Sequence, residues 1–225
     1  SAAMEVRGLS EKPIEIELIR RYEFEDIKCI PQDWNRGLLT LILGSHEPNL
    51  QIEGWHHSWK DGHQFSEWFL EVVERLKSHY PEALFGYPGL SPGHEIPGQR
   101  MDSWVFLQQS EIAALASDWI GCHCYWISDT DMMQPTGGLV YEEFRRLYPE
   151  KLLFVTEFSN PYSEVSKRSK GQQYVDYYRR LRNIKGIGAA FSFVLSASSN
   201  FPHEVWRRED GQISEIVQLV GNRNF

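Results

Sequence analysis

Leu152-Leu153-Phe154-Val155-Thr156-Glu157-Phe158-Ser159-Asn160 decides how the chain is read. A short apolar run rich in β-favouring residues reads as a buried strand. It ends in a carboxylate and then breaks at Pro161, a turn signal. Period-two alternation places Leu153, Val155 and Glu157 on one face, so an acid stands at the C-terminal lip of an apolar row. A strand has little structural use for such a group, whereas the mouth of an α/β fold does. A carboxylate capping the next helix would look the same from this stretch alone.

Upstream, Leu38 to Asn49 repeats the design. A buried-type run, Leu38-Leu39-Thr40-Leu41-Ile42-Leu43, leads into Gly44-Ser45-His46-Glu47-Pro48-Asn49, with Leu41, Leu43, Ser45 and Glu47 sharing a face. Phe65, Trp68, Phe69, Val72, Val73, Leu76 and Tyr80 then recur at helical spacing over residues 61–80. Residues 83–88 read as a strand that opens into a Gly/Pro loop containing His94, and residues 101–116 as a helix capped by Asp102. In the strand 118–126, Gly121, His123 and Tyr125 face one way and Ile120, Cys122, Cys124 and Trp126 the other. Helices over 139–148, 172–183 and 212–220 and a strand over 187–195 complete the pattern.

From residue 38 onward, strands therefore alternate with helices, which predicts a parallel sheet with right-handed crossovers. The expected organisation is five βα units over residues 38–225, preceded by a segment, 1–37, of unclear fold. Within that segment, residues 13–19 alternate like a half-exposed strand and residues 22–30 have no clean period. Ser1-Ala2-Ala3 ahead of Met4 looks like a remnant of cloning.

The 225 residues, 41% hydrophobic and 24% charged, suffice for a sizeable core. A net charge of −8 argues against nucleic acid or an anionic membrane as the partner. No apolar run approaches the ~20 residues that span a bilayer, and the start has no signal-peptide pattern. Cys29, Cys122 and Cys124 make no disulfide framework and lack CxxC spacing. These thiols and the start of the chain lean towards a cytoplasmic protein, with secretion left open. Eight Trp, ten Tyr and twelve Phe would suit a sugar-binding cleft, and a generous core equally well.

Parallel strands point their C-terminal ends at one face, so Glu47, His123, Tyr125 and Glu157 can converge. Two facing carboxylates are the equipment of glycoside hydrolysis: one protonates the leaving oxygen, and the other attacks the anomeric carbon or activates water. A His and a Tyr on the intervening strand could hold the nucleophile ionised, and either could instead be a satisfied core group. Asn49, Trp55, Trp126 and Asn160 are the sugar contacts that the residues themselves suggest. Packing is the competing role for both Trp residues, and turn formation for both Asn residues. His46, His56, His57 and His63 lack metal-ligand spacing, so neither a metal nor another cofactor is expected.

Gly44-Ser45-His46-Glu47-Pro48-Asn49 resembles the Asn-Glu-Pro signature ending strand four of the clan A (β/α)8 glycoside hydrolases. His123-Cys124-Tyr125 resembles their His-x-Tyr of strand six, and Val155-Thr156-Glu157-Phe158 their Thr-Glu-Phe/Tyr of strand seven. The resemblance implies a TIM-barrel-like fold, incomplete or truncated at its N-terminus because only strands four to eight match. It implies a retaining hydrolase of β-linked polysaccharide or glycoside, with Glu47 as acid/base, Glu157 as nucleophile and carboxyl groups ~5–5.5 Å apart. By resemblance His123 and Tyr125 also orient Glu157 and contact the sugar, and His46 stands where the family's usual Asn binds it. The strand-eight Trp has no counterpart, Ser192 and Phe193 being nearest, and no Arg is assignable from strand two. The alternative is a non-catalytic glycan-binding or structural module on the same scaffold. A homo-oligomer could cover the open sheet edges.

Overall fold

A computed structural model describes residues 14–18, 39–43, 46–195, 201–208 and 210–221. The stretch 22–30, which has no clean period, lies outside these residues. The chain forms two compact units, residues 1–121 and 122–225, and the division falls within one strand.

In the first unit, Ile14–Leu18 (β1) pairs in parallel with Leu39–Leu43 (β2), Ile14 opposite Leu39. The alternating stretch at 13–19 is thus a sheet strand lying ahead of the expected five units. Helix Gly62–His79 (α1) follows, and Leu84–Tyr87 (β3) pairs in parallel with β2. Asp61 caps α1 by accepting from Gln64 N at 3.0 Å, and the helix buries Phe65, Phe69, Val72, Val73 and Leu76. This is the apolar stripe that its 3.6-residue spacing predicts. The single helix expected over 101–116 is two, Ser103–Gln109 (α2) and Glu111–Ala116 (α3). They break at buried Ser110, whose hydroxyl bonds back to Phe106 O at 2.7 Å and meets Tyr87 OH at 2.6 Å. A hydroxyl satisfied by its own helix turn competes with the ladder and bends it.

Strand Trp119–Tyr125 (β4) begins against β3, with Gly86 opposite Trp119. A Cβ on Gly86 would stand 2.2 Å from the Trp119 indole, so the ring can pack here only over a residue with no side chain. Asp118 seals the start of this pairing: its N–H donates to Phe85 O at 2.7 Å and its carboxylate accepts from Phe85 N at 2.8 Å.

The second unit holds the remainder of β4, the short helix Asp129–Met132 (α4), Val140–Leu147 (α5), Leu152–Ser159 (β5), Lys167–Leu181 (α6), Ile187–Ser192 (β6) and Glu215–Val220 (α7). β5 and β6 are parallel, and Thr156 Oγ1 donates to Cys122 O at 3.4 Å. Helix α6 starts earlier than its periodicity implies because Ser166 caps it through Ser169 N at 3.1 Å. Cys122 and Cys124 are free, buried thiols, as their apolar setting requires. Every strand pairing described within the two units is parallel, giving the α/β architecture that the alternation implies. No described helix is long and apolar enough to cross a membrane.

Candidate active site

Glu157 lies near the C-terminal end of β5, half-buried, with its side chain only 14% exposed. The alternation of β4 turns His123 and Tyr125 the same way, and both reach the same carboxylate oxygen. Tyr125 donates its hydroxyl to Glu157 Oε2 at 2.5 Å, and His123 Nδ1 lies 3.4 Å from that oxygen. His123 is 1% exposed, so its ring is fixed by packing before any substrate arrives. A phenolic donor at this distance stabilises the ionised carboxylate and fixes its orientation.

The end of β5 is also held from behind. Phe158 alternates to the opposite face, stacks on Trp126 at 5.8 Å and packs against Tyr174, Tyr177 and Tyr178 of α6 at 5.0–5.2 Å. Asn160 donates to Gln173 Oε1 at 2.9 Å, the oxygen that also accepts from Trp126 Nε1 at 3.0 Å. The Gln173 amide nitrogen donates to Asp129 at 2.7 Å. Trp126 and Asn160, expected to touch sugar, are therefore structural. Both are almost wholly buried and spend their polar groups inside the unit.

In the first unit, Glu47 follows β2 on an irregular loop. Its backbone is left-handed, φ 42°, a conformation that costs a residue with a Cβ. The turn is fixed by Glu47 N–H to Gly89 O at 3.2 Å and by Leu50 N–H to Glu47 O at 2.8 Å. Asn49 is fully buried: its amide nitrogen donates to Ser91 O and Met101 O, and its oxygen accepts from Ser91 N, all at 2.9–3.0 Å. It shapes the loop and offers nothing to a sugar. Trp55 is likewise structural, 5% exposed, donating to Lys60 O at 3.0 Å and stacking on His56. His46 Nδ1 is 3.8 Å from Glu53 Oε1, and the His46 side chain is about a quarter exposed.

Of the expected site residues, the structure brings His123 and Tyr125 to Glu157 and keeps Glu47 and His46 partly accessible on their loop. It withdraws Asn49, Trp55, Trp126 and Asn160 into the core. Sequence reasoning missed Gln173 and Ser159, whose partners are far away in the chain, so no local pattern marks them. Phe193, noted as a substitute for the missing Trp, lies edge-on to Tyr125 with ring centroids 6.4 Å apart.

No family model and no curated protein matches the sequence. Solved structures do match, among them β-1,3-glucanases of the GH128 type. A subgroup II endo-β-1,3-glucanase from Sorangium cellulosum aligns over 93% of this chain and 80% of its own, at 18% identity and TM-score 0.69. A subgroup V exo-β-1,3-glucanase from Cryptococcus neoformans aligns over 93% and 78%, at 13% identity and TM-score 0.68. A subgroup I endo-β-1,3-glucanase from Amycolatopsis mediterranei, solved with laminaritriose, aligns over 92% and 81%, at 14% identity and TM-score 0.59. At these identities the likeness establishes the fold, the α/β scaffold of parallel strands on which those glycoside hydrolases are built.

Proposed function

We propose that the protein is a glycoside hydrolase that cleaves β-linked glucan, with β-1,3-glucan as its substrate. The observation that carries this is the Tyr125–Glu157 hydrogen bond beside His123, at the end of β5. A carboxylate held ionised and aimed by two side chains is equipped as a nucleophile. The shared scaffold supports β-1,3-glucan as the choice, since the three aligned enzymes act on it.

In this reading Glu157 attacks the anomeric carbon while Glu47 gives its proton to the departing glycosidic oxygen. Glu47 then takes a proton from water, and the hydroxide formed releases the sugar from Glu157 with retained configuration. Both glutamates end in their starting protonation states, so no cofactor enters the cycle. His123 and Tyr125 keep Glu157 charged before attack, and His46 stands beside the acid.

Incubation of the purified protein with laminarin, followed by reducing-end release, tests the activity. Glu157→Gln and Glu47→Gln should each lose at least about a thousandfold in rate with unchanged thermal unfolding. NMR of the first product should show the β anomer. A wild-type protein inert on every β-glucan, or either variant at full rate, would end this assignment.

A further inference from the structure

One carboxylate on the Glu47 loop has no part in this mechanism. Glu53 closes the single helical turn Gln51–Glu53 of the first unit, and its backbone N–H donates to Leu50 O at 3.2 Å. Gln51 N–H donates to Gln99 O at 2.9 Å, tying the turn to the loop that follows β3. Gly54 comes next at φ 136°, and a Cβ there would stand 2.5 Å from the Trp59 indole. Only a residue without a side chain lets that ring pack so closely. Buried Trp59 in turn donates its Nε1 proton to Pro48 O at 2.7 Å, beside Glu47. One indole thus fastens both ends of the segment 48–54, and Glu53 is carried on it as a fixed point.

The Glu53 side chain is 19% exposed, so its carboxylate has lost much of its hydration. Among the described residues, its one ion-pair partner is the His46 ring, whose Nδ1 lies 3.8 Å from Oε1. That separation is longer than a hydrogen bond and still within reach of a charge. A neutral imidazole carries its proton on either nitrogen, and a carboxylate facing Nδ1 favours the proton there. Nε2, across the ring, is then the acceptor. We propose that Glu53 is a positioning residue that acts through His46. It holds the ring with Nδ1–H toward the loop and offers Nε2 to a sugar hydroxyl next to the bond that Glu47 protonates. This rests on the glycosidase reading.

The turn itself does not need the carboxylate. Its bonds run from main chain to main chain and from the Trp59 indole, and an apolar side chain at 53 would avoid the lost hydration. What the acid adds is a direction for the imidazole. His46 and Glu47 leave the chain at consecutive positions, and the left-handed backbone at Glu47 fixes the angle between them. Aiming the imidazole therefore aims the sugar that the acid must reach.

The test is the 15N NMR spectrum of the His46 ring, assigned by its absence in His46→Ala and recorded at about pH 8.5, where imidazoles are mostly neutral. The wild-type protein should show Nδ1 protonated and Nε2 unprotonated. Glu53→Met, of similar length but with no acceptor, should move the proton to Nε2. Should that variant not fold, Glu53→Gln carries the same test, its neutral amide leaving a mixture of the two forms. On laminarin, Glu53→Met should lower kcat/KM roughly tenfold, yet cost less than about twofold in a protein already carrying His46→Ala. A wild-type ring protonated at Nε2 overturns the proposal. So does a folded variant with the proton still wholly on Nδ1, or an equal loss with and without His46. Because the spectrum needs no turnover, a protein inert on every β-glucan would end the glycosidase reading, while the ring proton still decides whether Glu53 orients His46.

Discussion

The two glutamates of the proposed pair are held by unlike means. Glu157 sits in strand β5, where the pairing with β6 slips register between Val155 and Phe158, and what fixes it is side chains: a phenol and an imidazole in front, and a stack of rings behind. Glu47 sits on irregular left-handed backbone, fixed by main-chain bonds that a buried asparagine ties together. A strand delivers a direction for free and needs help only to aim the last bond. A loop must build its direction from hydrogen bonds, and its weak point is the residue that satisfies them.

Four substitutions probe that contrast. Phe158→Ala should have the largest effect, a loss of about 4 kcal/mol, since the ring is fully buried among four others. Calorimetry should show unfolding roughly 8–16 °C lower; a drop under ~3 °C would mean the rings do not anchor the strand. Asn49→Ala should cost about 3 kcal/mol, because it strands the buried Ser91 N–H and carbonyl and the part-buried Met101 carbonyl. A loss below ~1 kcal/mol in urea titration would show the loop to be held by its main chain alone.

Tyr125→Phe should barely change stability, by ~1 kcal/mol or less, yet lower turnover of laminarin about ten- to a hundredfold. Equal rates for the variant and the wild type would remove the phenol from the aiming of Glu157. The smallest effect belongs to Asp102, whose Oδ1 accepts from Trp104 N at 2.9 Å and Val105 N at 3.1 Å at the start of α2. Asp102→Ala should cost ~1 kcal/mol at neutral pH. Burial alone would raise this carboxyl, but the bonds from Val105, His94 and Trp104 outweigh it and hold it below its ordinary value. A depressed folded pKa means stability that is present above the unfolded value and lost as pH falls through the folded one. The gap in unfolding temperature between variant and wild type should therefore close on acidification. A constant gap down to pH 2 would contradict it.

Much of this was legible from the sequence where period and chemistry coincide. Expected strand 152–160 is Leu152–Ser159, and expected helix 61–80 is Gly62–His79 with Asp61 as its cap. The face shared by His123 and Tyr125 followed from alternation alone, and it brings both to Glu157. What failed did so for identifiable reasons. Asn49, Asn160, Trp55 and Trp126 lie in or beside the right loops, but neighbours in sequence do not reveal whether a side chain turns outward or inward. The break at Ser110 depends on a hydroxyl bonding its own helix, which no apolar pattern records. Lys170 reads as one more polar helix residue, and only the fold shows it buried.

The left-handed backbone at Glu47 has a consequence of its own. Glycine or asparagine would occupy that conformation more comfortably, so the chain's most stable residue there is not the one it carries. Glu47→Gly and Glu47→Asn are therefore substitutions in which stability and activity should part company, the protein becoming a sturdier fold and a poorer catalyst.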